Sequence, residues 1–100
     1  MKVLLLNGSP HEKGCTYTAL SEVAAALTAD GVEAEILWAG SGPTTGCLGC
    51  GGCRKTGYCV RDDVVNQIID KLDDCDGLVV GSPVHYAAAG GQITCVMDRL

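Results

Sequence analysis

The chain has 100 residues, fewer than the usual domain of about 150, so it carries one hydrophobic core at most. Seven Lys and Arg against 12 Asp and Glu leave a net charge of -5 and a pI near 4.7, a balance that repels a phosphodiester backbone and argues against a nucleic-acid partner. With 47% hydrophobic and 19% charged residues the chain is too apolar for intrinsic disorder, and the run Val3 to Leu6 is too short for a signal-peptide core or a membrane span. A cytoplasmic protein with no membrane partner is the expectation.

Lys2 to Asn7, with its continuous Val-Leu-Leu-Leu run broken by Gly8-Ser9-Pro10, predicts a strand buried on both faces. From Thr16, the apolar residues Leu20, Val23, Ala24 and Leu27 recur at helical spacing until Asp30-Gly31 supplies a stop. Val32 to Trp38 alternates apolar with acidic residues and reads as a strand nearer the sheet edge. A glycine-rich loop is expected from Ala39 to about Cys59. Asp62-Asp63 then caps a second helix with the face Val64, Val65, Ile68, Ile69 and Leu72. Asp76-Gly77 turns into a third strand, Leu78-Val79-Val80, closed by Gly81-Ser82-Pro83. Ile93, Val96, Met97 and Leu100 follow helical spacing with no stop signal after them, which predicts a chain that finishes inside a helix.

Strand, helix, strand, helix, strand implies right-handed crossovers and a mostly parallel sheet with helices on both faces. With strands two and three flanking strand one, the order is 2-1-3. One flank of strand three is then uncovered, so residues 1–100 read as the N-terminal portion of a single, longer doubly wound domain.

Ligands of open parallel sheets bind outside the carboxyl ends of the strands, where the three conspicuous loops of this chain are expected to converge. The first, Gly8 to Gly14, matches neither the dinucleotide nor the Walker glycine pattern. It offers the hydroxyls of Ser9, Thr16 and Thr18 beside the free amides of a helix start, enough to hold a phosphate dianion, and otherwise reads as an ordinary strand-to-helix turn. The third, Gly81 to Gly91, combines small residues with His85 and Tyr86: backbone amides could meet the edge of a flat ligand with Tyr86 at its border. The plainer reading is a glycine-rich lead into a helix with a buried tyrosine.

Four of the seven cysteines, Cys47, Cys50, Cys53 and Cys59, fall within thirteen residues. Their x2, x2, x5 spacing, with glycines at 49, 51, 52 and 57, allows four thiolates to wrap one 4Fe-4S cubane. A four-cysteine zinc site and free or reversibly oxidised thiols are the other readings. Cys15, Cys75 and Cys95 stand alone and read as buried small hydrophobes. His85 reads as a pocket wall, Asp62-Asp63 as a helix cap, and Trp38 as core or interface, with a lesser reading in which it lines the site.

Taken together, Gly8-Ser9-Pro10 with Gly14 and Thr16, the cysteine run with Asp62-Asp63, Gly81 to Tyr86, and Gly91-Gln92 through Asp98-Arg99 resemble the flavodoxin-like NAD(P)H-dependent FMN reductase family, and within it the iron-sulfur flavoproteins. The resemblance covers the whole chain. It implies FMN, with Ser9, His11, Cys15, Thr16 and Thr18 at the phosphate and Ser82, Pro83, Val84, His85, Tyr86 and Gly91 along the ring and ribityl chain. His11 stands where the family often has arginine, and Cys15 where it often has asparagine or serine.

The resulting expectation is an FMN-dependent oxidoreductase passing electrons from NAD(P)H to a small acceptor such as a quinone, nitro compound or flavin. The alternative is an electron carrier using FMN and a 4Fe-4S cluster with a redox-protein partner, and a flavin-free metal-binding module is the third reading. No protein acid or base is required, so no catalytic residue is assigned. The resemblance also implies a homodimer or higher homo-oligomer.

Overall fold

Strand β1 (Lys2–Asn7) becomes the centre of the sheet because it is apolar on both faces: Leu4, Leu5 and Leu6 are wholly buried. The computed structural model describes residues 1–100. β2 (Glu33–Trp38) and β3 (Gly77–Gly81) pair with β1 in parallel, one on each side, so that Leu5 stands between Ile36 and Val79. The order β2-β1-β3 is the one expected from the sequence, and the architecture is the flavodoxin-like three-layer αβα arrangement.

Alternation along β1 divides the core in two. Val3 and Leu5 meet Leu20 of helix α1 (Cys15–Ala29), with Ala24, Leu27, Ile36 and Val79 around them. Leu4 and Leu6 face the other way and pack with Val65 and Ile68 of α3 (Val64–Leu72) and Ile93 and Val96 of α4 (Gly91–Asp98). Each such buried side chain contributes about 1.5–3 kcal/mol relative to exposure. On this second face Leu78 and Val80 of β3 remain 38% and 39% exposed.

Two local features differ from the expectation. The cysteine loop contains a short helix, α2 (Cys53–Thr56), whose start is packed by Val60 against Gly52. The third loop is a hairpin, with β4 (Val84–His85) antiparallel to β5 (Ala88–Ala89) around Tyr86 and Ala87. α4 is helical to Asp98, and the N–H groups of Arg99 and Leu100 still donate to the carbonyls of Val96 and Met97 at 3.1 and 3.3 Å, as the helical spacing up to Leu100 led one to expect. No helix is long and apolar enough to cross a membrane.

Candidate functional site

At the carboxyl end of the sheet the first loop is braced from within. Asn7, fully buried, accepts from Ser9 N at 3.1 Å through its side-chain oxygen and donates to the Glu12 carbonyl at 2.8 Å. Ser9 is buried, and its hydroxyl accepts from His11 N at 3.1 Å. Trp38, half-buried at the end of β2, donates from Nε1 to the Ser9 carbonyl at 2.9 Å and so ties the second strand to this loop.

α1 starts at Cys15 behind Gly14, with no side-chain cap and no acidic residue in its first turn, so its leading amides are open to an anion. That arrangement fits a phosphate. Thr16 sits in the same turn with its methyl against Gly81, whereas the Thr18 hydroxyl donates back to the Gly14 carbonyl at 3.2 Å. His11 and Cys15 are exposed. For Cys15 this corrects the expectation of a buried small hydrophobe, since the first residue of a surface helix faces solvent beyond the core stripe. Cys75 does pack on the core, and Cys95 is half-buried.

The first and third loops are joined directly. Gly8 N donates to the Gly81 carbonyl at 2.9 Å, and a methyl group on Gly8 would stand 2.5 Å from Ile93 Cβ, so α4 begins hard against the first loop. Ser82 closes the base of the hairpin: its hydroxyl accepts from Gly90 N and donates to the Pro83 carbonyl, both at 2.8 Å. Val84, His85 and Tyr86 are exposed along the hairpin, and Gly91 is exposed at the start of α4. The plainer reading of a buried tyrosine is therefore incorrect: Tyr86 is at the hairpin tip, fully exposed, in the left-handed region with φ +52°, followed by Ala87 at +61°. Positive φ at both central residues is what a type I′ hairpin turn requires, and it is unusual without glycine.

Cys47, Cys50, Cys53 and Cys59 all line one cavity of about 150 Å³, together with Val60, Arg61, Asp98 and Arg99. Gly49 and Gly51, at φ +72° and +79°, make the left-handed corners that fold the short links back on themselves. All seven thiols are free, and no three of the His, Cys, Asp or Glu side chains are gathered closely enough to hold a metal ion. The donor set nevertheless fits a four-sulfur site in kind: four cysteines line one small cavity on glycine-jointed chain.

The loop is held from outside by side chains to which the sequence reading gave no role at the cysteines. At the start of α4, Gln92 donates to the carbonyls of Gly40 and Gly42. At its end, Asp98 accepts from Cys47 N at 2.6 Å. Cys59 is fixed by Asn66, which accepts from its N–H at 2.9 Å and donates to its carbonyl at 3.0 Å, copying a backbone pair. Arg99, its side chain 2% exposed, donates to Asp63 at 2.8 and 3.1 Å, to the Arg61 carbonyl at 3.1 Å and to Cys59 Sγ at 3.4 Å.

These contacts shape the local electrostatics. The Arg61 backbone N–H and then the Arg99 guanidinium draw the Cys59 thiol below its ordinary range, against a smaller opposing push from burial. Burial pushes Asp63 upward, but Arg99 and the Val65 N–H together outweigh it and hold the carboxyl below the usual range. Asp63 also caps α3, accepting from Val65 N at 3.0 Å, as expected for the Asp62-Asp63 pair. For Asn66 a sequence signal exists only in hindsight, an amide one turn after a cap, whereas Arg99 stands in the Asp98-Arg99 stretch that carries the resemblance, with no role assigned to it.

The chain is similar to an iron-sulfur flavoprotein of Methanocaldococcus jannaschii, 33% identical over 99 residues that cover 99% of this chain and 51% of that one. It is 31% identical over 99 residues to an iron-sulfur flavoprotein of Archaeoglobus fulgidus, covering 99% of this chain and 48% of the relative. To one of Clostridioides difficile it is 30% identical over 103 residues, covering 99% and 45%. The chain thus spans about half the length of the curated relatives it matches. The sequence profile of the NADPH-dependent FMN reductase family matches residues 1–100, in agreement with the parallel sheet and the three loops at its carboxyl edge, and the chain belongs to that family.

Proposed function

We propose that this chain carries the flavin loops and the cluster ligands of an electron-transfer flavoprotein. FMN lies on Ser9, His11, Cys15, Thr16 and Thr18 and along Ser82, Pro83, Val84, His85, Tyr86 and Gly91, and a 4Fe-4S cluster is held by Cys47, Cys50, Cys53 and Cys59. The observation that supports the reading is that all four cysteines are lining residues of one cavity, beside the end of the helix whose start lies against the first loop. α4 has eight residues, so about 12 Å of helix separates the two sites.

When bound, FMN supplies hydride and single-electron chemistry, and a cluster supplies single-electron storage. The protein's own part is positional. The α1 amides and the Ser9 loop receive the phosphate, the hairpin flanks the ring, and Asn66, Asp98 and Arg99 fix the cysteine loop. The names of the relatives favour this carrier over the first expectation from the sequence, a reductase serving a small acceptor from NAD(P)H. NAD(P)H remains a candidate donor through the family. The same reading takes residues 1–100 as the N-terminal portion of one domain. It also takes the protein as a cytoplasmic homodimer or higher homo-oligomer, with a redox protein as partner.

The test is an anaerobic purification with an absorption spectrum and iron and sulfide assays. Flavin bands with a broad brown shoulder and about four iron per chain are expected, with the iron lost and the flavin retained in Cys53→Ser. Flavin without iron, combined with NAD(P)H oxidation by the protein alone, would restore the reductase. A protein that stays colourless when FMN is added would remove both readings and leave the flavin-free module.

A further inference from the structure

Arg99 is a buried cation in a chain whose net charge is -5. Its side chain is 2% exposed, and its partners are one carboxylate, one carbonyl and one sulfur. Its Nε, also buried, has no partner. The guanidinium is buried while the Asp63 side chain is 37% exposed, so the cation bears most of the desolvation cost, and the orphaned N–H adds to it.

What the guanidinium does reach is the Cys59 sulfur, at 3.4 Å, in the wall of the cavity that all four cysteines share. Asp63 grips the two terminal nitrogens and fixes the plane of the group, so the N–H aimed at the sulfur is set by geometry. The nearby Asp98 carboxylate is committed to Cys47 N, and Arg61 contributes its carbonyl to Arg99. Arg99 and Asp63 form a charge unit with one hydrogen bond onto a cluster ligand.

We propose that Arg99, oriented by Asp63, is a positioning residue that sets the reduction potential of the group held by the four cysteines. The inference rests on the four-thiolate reading above. Uptake of one electron, from reduced flavin or from dithionite in a titration, makes a four-thiolate cubane more negative by one charge, with no bond made or broken. A cation at one sulfur, donating an N–H to it, favours the more negative state and raises the potential. Asp63 partly cancels that field. Removing the two charges must therefore have opposite effects.

The experiment is a redox titration of the anaerobically purified, cluster-replete protein, with iron and sulfide measured on each sample. Arg99→Gln is expected to lower the reduced-to-oxidised ratio at a fixed poise at least tenfold, a downward shift of about 59 mV for one electron. Asp63→Asn keeps an oxygen to cap α3 but leaves Arg99 uncompensated, and is expected to shift the potential upward. Arg99→Lys, which keeps the charge and loses the fork, should fall between wild type and Arg99→Gln. If the two neutralising variants shift the same way, or neither shifts in protein that retains its iron, the inference is overturned while the cluster reading stands. If wild type holds no iron and sulfide, that reading fails and takes the inference with it. Should Arg99→Gln not fold, an unmoved potential in Asp63→Asn overturns the inference by itself.

Discussion

Asp63 shows how one carboxylate serves two structural purposes. One of its oxygens accepts from both Val65 N and Arg99, and the other accepts from Arg99 alone, so helix cap and ion pair share a single side chain. Its folded pKa lies below the ordinary carboxylate value. The stabilisation is accordingly complete above the unfolded pKa of about 3.9 and is lost as pH falls through the depressed folded value. Asp63→Asn retains an acceptor for the cap and removes the charge. Thermal unfolding midpoints of wild type and variant, followed in parallel, should therefore differ by a constant amount from about pH 7 to about pH 5 and converge below about pH 4. A difference that persists unchanged into strong acid would show that the pair contributes no charge-dependent stability.

At the scale of elements, the hairpin after β3 departs furthest from what the sequence led one to expect. Val84 pairs with Ala89 and His85 with Ala88, which leaves Tyr86 and Ala87 as a two-residue turn at positive φ. A non-glycine residue in this region costs about 1–2 kcal/mol. Ala87→Gly should remove most of that cost against the greater entropy glycine loses on folding, a net gain of about 1 kcal/mol readable in the urea midpoint. A loss of stability would mean that the turn is held in a different conformation. The sequence hid this hairpin for a physical reason: its strands are two residues long, and the alanine-rich stretch has neither the alternation nor the Asn-Gly signal that marks such turns. The long elements were legible because burial enforces periodicity. The Val3 to Leu6 run, the α3 face and the Asp63 cap all stand where the pattern placed them. The cysteine loop was legible as a cluster of thiols. Its supports were not, because Asn66, Gln92, Asp98 and Arg99 meet it across 7 to 52 residues of chain.

For the molecule as a whole, α4 is the part that relates the two candidate sites. Its first turn touches Gly8 through Ile93, the residue before it closes the hairpin on Ser82, and its last turn holds Cys47 and Cys59. The long loop that leaves β2 is thereby laid along one helix, fastened by Gln92 to Gly40 and Gly42 at one end and by Asp98 to Cys47 at the other. Gln92 lines neither the cysteine cavity nor the Ser9 loop. It can affect the cluster only by letting the loop move. Gln92→Ala frees two carbonyls that water can satisfy, so the cost to global stability should be about 1 kcal/mol, the ordinary worth of such bonds. The effect on the loop should be larger, because the loop carries no buried apolar residue between Gly40 and Cys53 to keep it in place. Purified anaerobically, this variant should hold its flavin as wild type does, yet release iron to a chelator several-fold faster. Equal release rates would show that the Asp98, Asn66 and Arg99 contacts suffice to seat the cysteines, and that α4 does not bind the two sites into one unit.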